Sequence, residues 1–144
     1  ERLAELEQAG ADLSLAICDI DKFKRINDQY GHGVGDRVIR MVAETLRTGC
    51  GKNMVARLGG EEFVVLFEGL ETGEAARILD ETRELLAART FKLRESDTPL
   101  GRITFSAGVA SGRHPGREPA LARADALLYE AKNGGRNQVR AEAA

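Results

Sequence analysis

The order of apolar and polar runs predicts a single α/β domain, a mixed or mainly antiparallel sheet with helices packed on it. Three observations predict it. The run LSLAICDI (Leu13–Ile20) is almost wholly apolar, as a strand at the centre of a sheet must be. A Gly-Gly pair, Gly59 and Gly60, separates two β-rich runs, MVARL and FVVLF, and signals a hairpin. Three further segments repeat their apolar residues at helical spacing.

Taken in order, ERLAELEQAGAD (1–12) reads as the end of a linker helix, with Leu3 and Leu6 one turn apart and Gly10 as its stop. The domain proper is 13–144. After the first strand, KFKRINDQYGHGVGD predicts a short helix and then a turn. Val34, Val38, Met41, Val42 and Leu46 carry the period of the next helix. The hairpin follows. Ala75, Ile78, Leu79, Leu85 and Leu86 mark the apolar side of another helix in TGEAARILDETRELLAAR. RITFSAGVAS (Arg102–Ser111) predicts a strand, EPALARADALLYEAK a helix opened by Pro119, and NQVR a short closing strand. The string is βααββαβαβ.

A chain of 144 residues is one domain, large enough to bury a core. With 21 basic and 23 acidic side chains it has no global footprint for nucleic acid or a membrane surface, so any hold on phosphates is local. No run approaches the roughly 18 apolar residues of a membrane span, and no signal peptide is visible. Cys18 and Cys50 match no zinc or redox spacing, which fits a reducing, cytoplasmic setting. The chain opens on Glu1 and is read as a domain cut from a longer protein, its sensory or dimerising neighbour missing and its parent free to be membrane-tethered.

The polar residues carry the chemistry. Asp19 and Asp21 flank Ile20 at the exit of the first strand, and a period of two points both to one face. Acids there are often only a strand meeting water. Glu61 and Glu62, adjacent on the hairpin, are harder to dismiss, because neighbouring carboxylates repel and are poor strand formers. If hairpin and first strand are neighbours about 5 Å apart, Asp19 and Glu61 can converge. Oxygen donors of that kind suit Mg²⁺ or Mn²⁺, and two such ions about 4 Å apart serve phosphoryl transfer. Lys24 follows the acids, and AKNGGRN sets Lys132 and Arg136 around a Gly-Gly. Those cations grip phosphate oxygens, or form an ordinary basic last turn with a glycine cap. Asn27, His32 and Asp36 offer an amide and a carboxylate for a guanine edge, or are plain turn and helix residues.

DIDKFKRINDQYGHGVGD, ARLGGEEF, ITFSAGVA and ADALLYEAKNGGRN, in this order over nearly the whole chain, closely resemble the GGDEF-type diguanylate cyclases. The resemblance implies a ferredoxin-like core, as in nucleotidyl cyclases and polymerase palms, with the signature on a β-hairpin. It implies condensation of two GTP into cyclic di-GMP, two pyrophosphates leaving, with one GTP on each subunit of a homodimer and two metal ions per site. Asp19 and the carbonyl of Ile20 would bind Mg²⁺. Glu61 would share the metal and help deprotonate the 3′-hydroxyl, with Glu62 assisting electrostatically. Lys24 would steady charge on the transferring phosphate, and Lys132 and Arg136 would hold the β- and γ-phosphates. Asn27 and Asp36 would read guanine with His32 nearby, and Gly59 and Gly60 would let the nucleotide lie against the turn. The rival reading is a silent, GTP-binding regulatory domain.

One departure stands out. Many members carry an inhibitory Arg-x-x-Asp ahead of the Gly-Gly; here those two positions hold Cys50 and Asn53, and the helix position that often completes the site holds Glu81. Feedback inhibition by that route is expected to be weak or absent.

Overall fold

The computed structural model describes residues 13–91, 101–112 and 118–143. The expected linker helix over 1–12 lies outside the described residues. Five strands and four helices are seen among them: β1 (Leu13–Ile20), α1 (Phe23–Tyr30), α2 (His32–Cys50), β2 (Met54–Gly59), β3 (Glu62–Glu68), α3 (Thr72–Ala88), β4 (Phe105–Ser111), α4 (Ala120–Asn133) and β5 (Val139–Ala141). Their order is the predicted one. The sheet runs β2-β3-β1-β4-β5, antiparallel throughout except that β4 and β5 are parallel.

β1 is central and buried along its whole length because both its faces are covered. Ala16, Cys18 and Ile20 face the larger core, where Phe63, Phe67 and Phe105 meet Val38, Val42 and Leu46 of α2 and Leu79 and Leu86 of α3. Leu13, Leu15 and Ile17 face the other way, onto Ala120, Ala124 and Leu128 of α4. Each large apolar side chain removed from water in these layers contributes about 1.5–3 kcal/mol. Alternation along the strand thus separates an α2–α3 face from an α4 face, and Asp19 falls on the α4 face.

Three expectations need correction. The turn expected after α1 is the single residue Gly31, at φ 91°; α2 begins at His32, and Gly33 and Gly35 lie within it. Regular pairing in β4 starts at Phe105 rather than Arg102, although the Thr104 carbonyl still accepts from the Asp21 amide at 2.9 Å. Leu85 is 46% exposed, because the apolar stripe of α3 is narrower than its sequence suggests.

Candidate active site

The site forms where β1 ends. Antiparallel register sets Asp19 opposite Glu62 of β3 on one side and Ser106 of β4 on the other. Glu61 stands one residue beyond, in the hairpin turn, and its carbonyl accepts from the Ile20 amide at 3.2 Å. The turn is tight because Gly60 adopts φ 52°, and the Arg57 Nε donates across it to the Gly60 carbonyl at 2.8 Å. The direct cross-strand neighbour of Asp19 is therefore Glu62, while the charge of Glu61 still reaches it.

Asp19 is 6% exposed, and its Oδ2 accepts from the Lys132 Nζ at 2.6 Å. Burial pushes its carboxyl above the usual carboxylate range; the Lys132 hydrogen bond and charge pull it down, and Glu61 and Asp21 push it up. The Glu62 carboxyl is raised too, first by burial, then by Asp19 and by Asp125 of α4, with Lys132 opposing. Acids gathered faster than one lysine can neutralise them favour a further cation.

Among the described residues, no three His, Cys, Asp or Glu side chains are placed to hold a metal ion. Mg²⁺ does not need such a cage: it usually takes one or two carboxylates and completes its shell from water and substrate phosphates. The hard oxygen donors of Asp19 and Glu61, with a backbone carbonyl at Ile20, suit that habit.

Asp21 is engaged differently. Its carboxylate accepts from Thr104 Oγ1 at 2.7 Å, Ser106 Oγ at 2.6 Å and the Asn137 amide at 3.0 Å. It therefore fastens the loop after α4. That loop carries Arg136 and Asn137 at φ 63° and 48°, and each non-glycine residue held in that region costs roughly 1–2 kcal/mol.

Two cavities flank α1. One, about 380 Å³, brings Lys24, Asn27, His32 and Asp36 together with Gly60 and Glu61. The amide of Asn27 is seated by a close approach of α1 to α2: a Cβ on Gly35 would stand 1.8 Å from Asn27 Oδ1. The other cavity, about 500 Å³, lies on the opposite face of α1 and takes Arg136, with Lys22, Arg25 and Arg102. The structure thus sets Arg136 apart from the Asn27–Asp36 group, and Lys132 against Asp19. Arg57, Asp125, Thr104 and Ser106 were not singled out from sequence. Only Arg57 had a local signal, three residues before the glycine it caps.

The chain matches the family model "Diguanylate cyclase, GGDEF domain" over residues 1–138. It is 41% identical to the diguanylate cyclase VdcA of Vibrio cholerae over 136 residues, 93% of this chain and 40% of that protein. It is 40% identical to the diguanylate cyclase DgcP of Pseudomonas aeruginosa, over 96% of this chain and 21% of that one. The chain thus spans less than half the length of either relative. Among solved structures, the GGDEF domain of DgcB from Caulobacter crescentus in complex with c-di-GMP superposes with a TM-score of 0.86 at 43% identity, covering 97% of this chain and 81% of that one. The active GGEEF domain of a Vibrio cholerae diguanylate cyclase gives 0.81 at 32% identity, covering 98% and 89%. Sequence motifs, sheet order and these likenesses agree: the chain belongs to the GGDEF domain family of diguanylate cyclases.

Proposed function

We propose that this chain is a catalytic domain that condenses two GTP molecules into cyclic di-GMP. One observation carries the reading: a single cavity beside the end of β1 gathers Lys24, Asn27, His32, Asp36 and Glu61, the combination a guanine nucleotide requires. In each half-reaction a 3′-hydroxyl oxygen bonds to the α-phosphorus of the other GTP. The bond from that phosphorus to the β-bridging oxygen breaks, pyrophosphate leaves, and the hydroxyl proton passes toward Glu61. Asn27 and Asp36 read the guanine edge, with His32 beside them. Lys24 balances charge on the transferring phosphate, and Glu62 adds to the negative field around Asp19.

Lys132 and Arg136 hold the terminal phosphates. The Lys132 ammonium donates to Asp19 at 2.6 Å, and phosphate oxygens would compete for it. Asp19, the Ile20 carbonyl and Glu61 would hold Mg²⁺, with Mn²⁺ as a substitute and two ions per site. When bound, these ions lower the pKa of the attacking hydroxyl and stabilise charge on the leaving oxygen. Each domain offers one nucleotide mouth, so the ring closes only between two copies facing each other. A domain that consumes GTP works in the cytoplasm. No helix among the described residues is long and apolar enough to cross a membrane.

Feedback inhibition through the Arg-x-x-Asp route is proposed to be weak or absent. Cys50 is buried with its Sγ 4.0 Å from Thr82 Oγ1, and Asn53 Nδ2 bonds the Cys50 carbonyl at 2.7 Å. Neither offers a guanidinium fork to a product phosphate.

Incubation with GTP and Mg²⁺ at several protein concentrations, followed by chromatography, tests the reading. Cyclic di-GMP should form at a rate rising more steeply than linearly where dimers are scarce. GTP binding with no product would leave a regulatory domain instead, and a strictly linear rate would remove the half-site scheme.

A further inference from the structure

We propose that Arg83, on α3 and lining neither cavity, is a positioning residue that sets Arg136 for its phosphate. The proposal deepens the cyclase reading and rests on the role given there to Arg136. The loop leaving α4 has three successive residues at positive φ, Gly135 at 111°, Arg136 at 63° and Asn137 at 48°. Two of these are not glycine, so the conformation is imposed from outside. Asn137 is where the restraints meet. Its amide donates to Asp21 Oδ2 at 3.0 Å and to Ser106 Oγ at 3.1 Å, tying it to the ends of β1 and β4. Its side-chain oxygen accepts from Arg83 Nη1 at 2.9 Å, a link across 54 residues of sequence.

The guanidinium is itself oriented. Arg83 Nε donates to Asp80 Oδ1 at 2.7 Å, one turn earlier on α3, and the side chain is only 16% exposed. Its donors lie fixed in one plane, so Asp80 sets the direction in which Nη1 points. Asn137 has no other side-chain partner among the described residues. Arg83 therefore closes the third side of the restraint on the loop. Without it the loop keeps its ties to β1 and β4, the Arg136 amide bond to the Ala131 carbonyl at 3.0 Å and the Gln138 Nε2 bond to the Arg136 carbonyl at 3.2 Å, but loses its side-chain tie to α3, and the Arg136 guanidinium samples positions away from the phosphates. The Asp80–Arg83–Asn137 chain makes the placement of α3 a determinant of polyphosphate affinity.

Two variants test this from opposite ends. Arg83→Lys keeps a charge but loses the fork. Asn137→Gly keeps the amide, tolerates the left-handed backbone and leaves α3 untouched. Amide hydrogen exchange at 136–138 and dissociation constants for GMP and for the α,β-methylene analogue of GTP, with Mg²⁺, are the readouts. Both variants should speed exchange in the loop and weaken the analogue by about tenfold, while GMP binding stays within about twofold. The double variant should lose no more than the worse single one, because both break the same link. Unchanged exchange, equal losses for GMP and the analogue, or losses that multiply would each overturn the proposal. Should Arg83→Lys fail to fold, Asn137→Gly alone decides. If the unaltered protein makes no cyclic di-GMP, the cyclase reading falls, while the exchange data still decide whether Arg83 holds the loop.

Discussion

The two flanks of the site are built on opposite plans. On the α4 side nearly every polar group has a partner: Lys132 on Asp19, Thr104, Ser106 and the Asn137 amide on Asp21, Arg83 on Asn137. On the α1–α2 side, the side chains of Lys24, Asn27, His32 and Asp36 make no hydrogen bond or ion pair among the described residues. The first flank is a finished network in which removing one member strands the others. The second is half of a network, which in the proposed reading a nucleotide would complete. A site divided in this way is closed on the flank proposed to hold phosphates and open on the flank proposed to admit the base.

Substitutions that separate activity from stability sharpen the contrast. Glu61→Gln removes the base proposed at the turn and keeps its shape. Turnover should fall by roughly 10²–10⁴ in a cyclic di-GMP assay, with the thermal midpoint unchanged. Equal turnover would take Glu61 out of the chemistry. Gly108→Ala, beneath the closed flank, should act through the fold. Its Cβ would stand 2.1 Å from the Ala124 carbonyl oxygen and 2.5 Å from the Leu128 nitrogen, backbone atoms that cannot step aside. Unfolding should show a loss of about 3 kcal/mol; a change below about 1 kcal/mol would mean that α4 is not held tightly.

On the open flank, Asn27→Ala should raise KM for GTP about tenfold and leave stability alone, since its side-chain amide makes no hydrogen bond among the described residues. Gly35→Ala should also raise KM, by pushing that amide aside, and should cost stability as well, because its Cβ would stand 3.1 Å from the Phe23 ring where α1 and α2 touch. If Asn27→Ala lowers the thermal midpoint by several degrees, the division between flanks is wrong.

The smallest effect concerns charge. The Glu62 carboxyl is raised in the folded protein by burial and by Asp19 and Asp125. A raised acid is at no disadvantage while protonated and destabilises the fold as pH climbs above its unfolded value near 4.5. Glu62→Gln should therefore stabilise the Mg²⁺-free protein at pH 7 by under about 1 kcal/mol, with the gain vanishing near pH 4. A loss at pH 7 would show that the acids on this face are better compensated than their surroundings indicate.

What could be read from sequence divides along the same line. The open flank was legible: Lys24, Asn27, His32 and Asp36 fall within a short stretch, and the Gly-Gly announced the turn that brings Glu61 to them. The order of elements along the chain was legible too, because apolar periodicity records which face each element buries. On the closed flank Asp19, Asp21, Lys132 and Arg136 stood out in the sequence, but their pairings did not. Lys132 meets Asp19 across 113 residues, Ser106 meets Asp21 across 85 and Arg83 meets Asn137 across 54, and no spacing announces such pairings. The start of α2 was missed for a local reason. Glycines at 33 and 35 resemble a turn, yet Gly35 is there to let two helices touch, and Gly31 alone makes the bend.

The ends of the described chain meet at one pole. The Leu13 carbonyl accepts from the Gly112 amide at 2.7 Å, and Glu142, near the other terminus, receives Thr72 through its carbonyl and the Ser111 amide through its carboxylate. Asp19 and the hairpin turn lie at the far end of β1, about 20 Å away at the usual rise of a strand. Both ends of the described chain thus leave from the pole opposite the one where β1 delivers Asp19.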